Sequence, residues 1–339
     1  MKKAGIVGVG LIGGSIAAGL EKAGWMVVGY DADPDVARTA IEAGLVSSLA
    51  DSIESLANES FDVLVVAAPP EATVEILSGL TTSIPVMDVA GVKTQVMEAA
   101  LHLDSFAGTH PMAGRETSGP KAASAALFNG ASWVLVDGAS PSADSVATEV
   151  IETLGARVVR MSAATHDAAV GRISHLPQIV AGALLASVAD TEGAMDLAAG
   201  SFRDLTRVAA SLPAPWVELL KANSQAVLAA VGALKLQLSA LEAAIVSDDD
   251  SLLNLMAQGR ESRRALGAPV VAVRVALADT PGEIAKVGHA LEVSKVDVRD
   301  IQMRHAPYGG GGVLTVSVRP GEEGTLAHAL EAAGLLLVP

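Results

Sequence analysis

At 339 residues the chain has material for two or three domains, each with its own core. A formal charge of −15 argues against nucleic-acid partners, which require clustered Lys and Arg, and means that an anionic substrate needs a local basic site. The absence of cysteine excludes disulfides, thiolate catalysis and Cys-ligated metals, and fits a reducing, cytoplasmic compartment. Half the residues are apolar, yet the longest uninterrupted apolar runs, such as 179–189, fall short of the roughly 20 residues of a spanning helix, so no membrane partner is expected.

The first apolar run, 4–9, enters a turn containing Gly8, Gly10 and Gly13, and an alanine-rich helical pattern leaves it at once. Strand, tight turn and helix in that order form a dinucleotide-binding fingerprint. Gly8 allows the turn, Gly10 admits a pyrophosphate to the backbone, and Gly13 lets the helix pack closely on the strand. The phosphates then meet unpaired N–H groups and the positive end of the helix dipole, with Leu11 and Ile12 in the same cofactor-binding turn. A second apolar run, 26–30, ends in Asp31, the acid expected to take the ribose hydroxyls. Asp31 would repel a 2′-phosphate and Ala32 offers no cation to bind one, so the expected cofactor is NAD rather than NADP. The competing reading is a glycine-rich turn followed by a surface Asp. Met1-Lys-Lys with small residues at 17–19 also imitates a secretory signal, but cleavage there would remove the fingerprint and leave its acid behind.

From 1 to 161 short apolar runs alternate with amphipathic stretches, which predicts an α/β domain with a Rossmann-type parallel sheet. A helix over 34–42 closes at Gly44, and strands are expected over 61–68, 84–89, 132–136 and 157–161. Ligands in such sheets bind at the carboxyl ends of strands, and two of those ends carry polar groups, at 88–93 and at 108–115. The second holds His110, followed by Pro111, a side chain able to accept a proton near neutral pH. An isolated histidine is more often structural; a strand end facing a nicotinamide favours the catalytic reading.

Past residue 161 the strands stop, and 162–189, 196–211, 216–246 and 248–266 read as helices, some apolar on nearly every face. An all-helical domain over 162–267 is expected, buried against a second copy in a homodimer. Arg203 and Arg207 share a helix face with Asp204 beside them, either as a solvated charged face or as the missing anion site. After Gly267 and Pro269, the order βαββαβ over 268–339 predicts a ferredoxin-like module. Its first strand-to-helix turn, with Asp279, Pro281 and Gly282, looks like the ligand-binding turn of ACT domains; a purely structural module is the alternative.

With the motifs at 8–15, 109–114, 166–167, 174–177 and 202–209, and Trp216 after them, the chain resembles the prephenate and arogenate dehydrogenases of tyrosine biosynthesis along its length. The resemblance implies NAD-dependent oxidative decarboxylation of prephenate to 4-hydroxyphenylpyruvate, driven by aromatisation and without a metal. It assigns to His110 the proton of the C4 hydroxyl, to Arg207 a substrate carboxylate, and to Gly200, Asp204 and Trp216 the pocket wall. It also implies L-tyrosine as an effector of the terminal module. Two positions depart from the pattern: Gly91, where many relatives have a serine, and Gln178, where prephenate-using relatives often have a second histidine. Glutamine cannot become a cation, so arogenate, whose side chain carries an ammonium, is the alternative substrate. Hydroxyacid dehydrogenases share the architecture but typically use a helical-domain lysine, and Lys221 and Lys235 here have no motif around them. A non-catalytic NAD sensor is the remaining alternative.

Overall fold

Val63, Leu64, Val65 and Val66 are buried on both faces of their strand, as the centre of a parallel sheet covered by helices requires. The computed structural model describes residues 1–114, 117–266, 270–305 and 311–338, and Arg115, Gly267 and Pro269 lie outside them. Two compact units divide the chain, Met1–Lys235 and Leu236–Pro339.

The first unit opens with β1 (Lys3–Val7), α1 (Leu11–Lys22), β2 (Met26–Tyr30), α2 (Pro34–Glu42), β3 (Ser48–Leu49), α3 (Ile53–Asn58), β4 (Val63–Val66), α4 (Pro70–Gly79), β5 (Val86–Asp88), α5 (Thr94–Ala99) and β6 (Phe106–Ala107). All six strands pair in parallel in the order β3-β2-β1-β4-β5-β6, the doubly wound dinucleotide-binding order. In register, Val7 lies between Tyr30 and Val66, so the carboxyl ends of β2, β1 and β4 meet at one edge, where that order reverses.

The later strands depart from expectation. β7 (Thr109–Pro111), β8 (Ser132–Val136) and, after α6 (Pro141–Thr153), β9 (Arg157–Met161) form a separate three-stranded sheet in which β7 and β8 run antiparallel. The segments 132–136 and 157–161 are strands as expected, but they do not extend the parallel sheet. Their sheet carries His110 on its edge strand.

Helices then take over. α7 (Ala163–Val170) runs through a π-helical turn at Gly171–His175 into α8 (Leu176–Val188). A Cβ on Gly171 would lie 3.2–3.3 Å from Ala226, so only glycine fits that crossing without displacement. The helix expected over 196–211 is shorter, α9 (Gly200–Thr206) followed by a 3-10 turn at Arg207–Ala210. Arg207 is thus the first residue of that 3-10 turn, directly after the helix that carries Arg203. The expected helix 216–246 is two helices, α10 (Pro213–Ala222) and α11 (Ser224–Ile245), parted at the buried Asn223. α12 (Ser251–Arg264) follows. Contrary to the reading from uninterrupted runs, Ala163–Val188 and Ser224–Ile245 are each long and apolar enough, by length and composition, to cross a membrane.

Within the second unit, β10 (Val271–Leu277), α13 (Glu283–Ser294), β11 (Val298–His305), β12 (Gly312–Val318), α14 (Glu323–Ala332) and β13 (Leu336–Val338) realise the βαββαβ order. The sheet order is β11-β12-β10-β13, and Val275, Val316, Val318, Leu326 and Leu330 form its sealed core.

Candidate active site

The glycine turn is built by contacts that forbid side chains. Gly8 adopts φ +87°, and a Cβ there would lie 2.4 Å from the Ala67 carbonyl oxygen; one on Gly13 would lie 1.8 Å from Gly8 O. At Gly10 the corresponding position is open, with nothing within 4 Å, and no side chain caps the first turn of α1. Free N–H donors thus face open space at a helix N-terminus. Asp31, at the end of β2, accepts from Val9 N–H at 2.9 Å and from Asp33 N–H at 3.0 Å, which fixes its carboxylate beside the turn. These residues fit a dinucleotide, the phosphates at Gly10 and the ribose at Asp31.

A buried latch sets the height of His110. Lys93, fully buried, forms an ion pair with the equally buried Asp88 and donates to Thr109 O at 2.6 Å. Asp88 accepts in return from Thr109 N–H at 3.0 Å and from Ala90 N–H at 2.8 Å. The Thr109 hydroxyl donates to Asp88 O at 2.5 Å and accepts from Trp133 Nε1–H at 2.9 Å. Every polar group of Thr109 is therefore tied to β5, to the loop after it or to β8, one residue before His110. Burial pushes the Asp88 carboxyl up and the Lys93 ammonium down, and each is drawn back by the other's charge.

Behind His110 stands a second polar chain. His110 Nδ1 lies 2.8 Å from His166 Nε2, and His166 Nδ1 lies 2.8 Å from Asp167 Oδ1. Asp167 also accepts from the backbone N–H groups of Lys93 and Thr94, both at 2.8 Å, capping α5 from a distant segment. Burial alone would raise the Asp167 carboxyl, but hydrogen bonds from His166, Thr94 and Lys93 bring it down to about 2. Burial, reinforced by His166, Lys93 and His175, holds His110 well below the ordinary histidine range. Asn223 completes the cluster, donating to Asp167 O at 2.9 Å and lying 3.2 Å from His175 Nδ1.

His110 faces a cleft of about 400 Å³ lined also by Ile12, Pro69, Gly91, Glu218 and Leu219. A Cβ on Gly91 would lie 3.7 Å from His110 Nε2 and 3.0 Å from Leu219 Cδ1, so that nitrogen looks into the cleft and Leu219 crowds the missing side chain's place. Arg207 and Trp216 line a second cleft together with Leu11 and Gly114, and Pro215 belongs to both. Trp216 stands edge-on to His175 with ring centroids 6.3 Å apart. Gly200 begins α9, and Asp204 is exposed on the same helix; neither lines either cleft. Gln178 lies on α8 with its carboxamide oxygen buried and unpartnered among the described residues. Asp279 and Pro281 are exposed in the β10–α13 turn of the other unit, where Gly282 takes φ +99°.

Sequence reasoning did not assign roles to Asp88, Lys93, His166, Asp167 or Leu219. A fully buried lysine carries no mark in its sequence, since lysines are overwhelmingly exposed. The adjacent pair His166-Asp167 did carry a signal, two groups able to hydrogen-bond, but their alignment with His110 depends on a contact 56 residues away.

Known proteins similar to this chain share one family. Residues 16–160 match the family described as prephenate dehydrogenase, nucleotide-binding domain, and 162–258 match prephenate dehydrogenase, dimerization domain. A prephenate dehydrogenase of Bacillus subtilis is 30% identical, over 94% of this chain and 92% of its own length. The solved structure of prephenate dehydrogenase from A. aeolicus, in complex with hydroxyphenyl propionate and NAD+, is 27% identical with a TM-score of 0.72, covering 79% of this chain and 99% of that one. Synechocystis arogenate dehydrogenase is 29% identical with a TM-score of 0.69, covering 78% and 100%.

Proposed function

The chain belongs to the prephenate dehydrogenase family, and from that membership we propose that it oxidatively decarboxylates prephenate to 4-hydroxyphenylpyruvate with NAD+. The observation that carries the reading is a neutral histidine, His110, aimed into a cleft that also contains Ile12 of the dinucleotide turn. Gly8, Gly10, Leu11, Ile12, Gly13 and Asp31 would hold the cofactor, which when bound supplies the hydride acceptor at C4.

The chain's own groups then do three things. His110 Nε2 accepts the hydrogen bond of the C4 hydroxyl and takes its proton as the carbon is oxidised. That proton returns to the same oxygen once loss of CO2 has made the ring aromatic, so the reaction consumes none. Arg207 holds a substrate carboxylate through charge-assisted bonds, each contributing about 1.5–3 kcal/mol. Trp216, in the same cleft as Arg207, supplies an apolar wall.

Arogenate is the second reading, favoured by a relative and by one residue. A similar solved structure is an arogenate dehydrogenase, and Gln178 cannot take the charge that a histidine would, although its buried oxygen lines neither cleft. Rates of NADH formation by the purified enzyme with each substrate separate the two. The expected result is a higher kcat/KM for prephenate; turnover of arogenate alone would exchange the readings, and turnover of neither would overturn both.

Acid dependence follows from the direction of the His110 shift. Only the neutral imidazole can accept a proton, and its pKa is lowered, so the competent form persists as pH falls. The plot of log kcat/KM is expected to stay flat from about pH 8 to below the ordinary histidine value of about 6.5, then decline. An acid limb centred at or above that value would contradict the assignment.

The exposed apolar faces of 163–188 and 224–245 are proposed to be covered by a second copy of the chain, a reading supported by the family's dimerization-domain description. A cytoplasmic location accords with the absence of cysteine. L-tyrosine is proposed as the ligand of an ACT-like turn at Asp279, Pro281 and Gly282, supported by the βαββαβ order around it. The three-part division 1–161, 162–267 and 268–339 belongs to the same proposal.

A further inference from the structure

We propose that His166 and Asp167 are positioning residues that fix the tautomer of His110, keeping its proton on Nδ1 and a bare lone pair on Nε2 toward the cleft. The inference rests on the proton-acceptor role given to His110 above and names what makes that role possible.

The geometry works outward from the carboxylate. Asp167 already accepts two backbone N–H groups, those of Lys93 and Thr94. An ionised carboxylate has only acceptor capacity, so His166 Nδ1, 2.8 Å from Oδ1, must be the donor. In a neutral ring the other nitrogen is then a lone pair. His166 Nε2 can only accept, and the nitrogen 2.8 Å away, His110 Nδ1, must carry the proton. His110 Nε2 is left bare, and it is this atom that a Cβ on Gly91 would approach to 3.7 Å.

Three further observations make the chain decisive for this protein. Among the described residues, the contact to His166 is the one hydrogen bond of the His110 ring. Glycine at 91 supplies no hydroxyl from the cleft side, so orientation has to come from behind. The chain is also buried: His166 is 1% exposed and Asp167, at the wall of a separate cleft, 7%, and Asn223 ties the Asp167 carbonyl in place. The other charged or titratable neighbours, Lys93 and His175, are engaged elsewhere, with Asp88 and Thr109 O and with Asn223.

The test needs no substrate in its first arm. Nitrogen-15 NMR of histidine-labelled full-length protein reads which nitrogen of His110 carries the proton, with H110N identifying the resonance. The expected result is protonated Nδ1 and bare Nε2 in the wild type. In H166Q the amide can still donate to Asp167 and accept from His110, so the tautomer should persist. In H166L the acceptor is gone, and His110 should move toward the Nε2–H form that free imidazole side chains favour. In the second arm, kcat should fall at least about 10-fold in H166L, be substantially recovered in H166Q, and leave NAD+ affinity unchanged in both. A wild-type ring protonated on Nε2, or an H166L variant with unaltered tautomer and kcat, overturns the proposal. If the wild type shows the expected tautomer but oxidises neither prephenate nor arogenate, the tautomer assignment stands and the functional reading falls. Turnover with an Nε2–H ring gives the reverse. Should H166L fail to fold, the wild-type spectrum still decides.

Discussion

Replacing Lys93 with methionine is expected to destabilise the unit formed by residues 1–235 by about 3–5 kcal/mol, because it strands the Asp88 carboxylate in the core without its partner. For a unit of that size the loss corresponds to a fall in thermal midpoint of roughly 10 °C. Methionine keeps most of the lysine stem's volume, so a cavity is not the cause. What is lost is the ammonium that pairs with Asp88 Oδ2 and donates to Thr109 O, and Asp88 and Thr109 are both 0% exposed. A control follows from the same physics: removing both charges costs less than removing one. K93M combined with D88N should therefore recover part of the loss, since an amide at 88 leaves no uncompensated charge. Calorimetry of the wild type and the variants measures the differences; a K93M midpoint within about 2 °C of wild type would show that the pair does not support the fold. Because Lys93 also sets Thr109, activity should suffer even at temperatures where K93M is folded.

The second large effect concerns the reaction. H110N should lower kcat by about 10²–10⁴ while leaving NAD+ affinity nearly unchanged, since asparagine can occupy the site but cannot take a proton. His110 is not part of the glycine turn, and the groups that fix Asp31 are Val9 and Asp33. Equilibrium titration with NAD+ and steady-state rates of NADH formation measure the two quantities. A rate within a few fold of wild type would return His110 to a structural role. Loss of cofactor binding along with rate would mean that the substitution had disturbed the cleft rather than the chemistry.

Where residue patterns carry their own boundaries, the fold was legible. The β2 segment, and the α2 segment between Asp33 and Gly44, stand where expected because a Pro start, an Asp cap and a glycine exit are local signals. β3, β6 and β7, of two or three residues, escaped the reading, whereas β5, equally short, was found because it lies inside the longer apolar run 84–89. β8 and β9 were legible as strands but not as members of their own sheet, because an alternation of residues does not name the partner across the hydrogen bonds. The break between α10 and α11 was hidden for a related reason. Asn223 resembles a tolerable helix residue until its side chain is seen reaching Asp167 O. The cofactor turn could be argued from glycine spacing, whereas the support behind His110 could not. His166, Asp167 and Lys93 come from segments whose meeting is a property of the packed chain.

The π-helical turn at Gly171–His175 has an angular consequence. At about 3.6 residues per turn, nine positions of unbroken α-helix would carry His175 about half a turn away from His166, onto the opposite side of the rod. Both are nevertheless 1% exposed, and both belong to the cluster around Asp167 and Asn223. The wider turn absorbs the excess rotation, so one helix presents two histidines to the same interior that a regular spiral would divide between inside and outside. The irregular turn thus acts as a phase shifter, and its length in residues is part of the specification of the site.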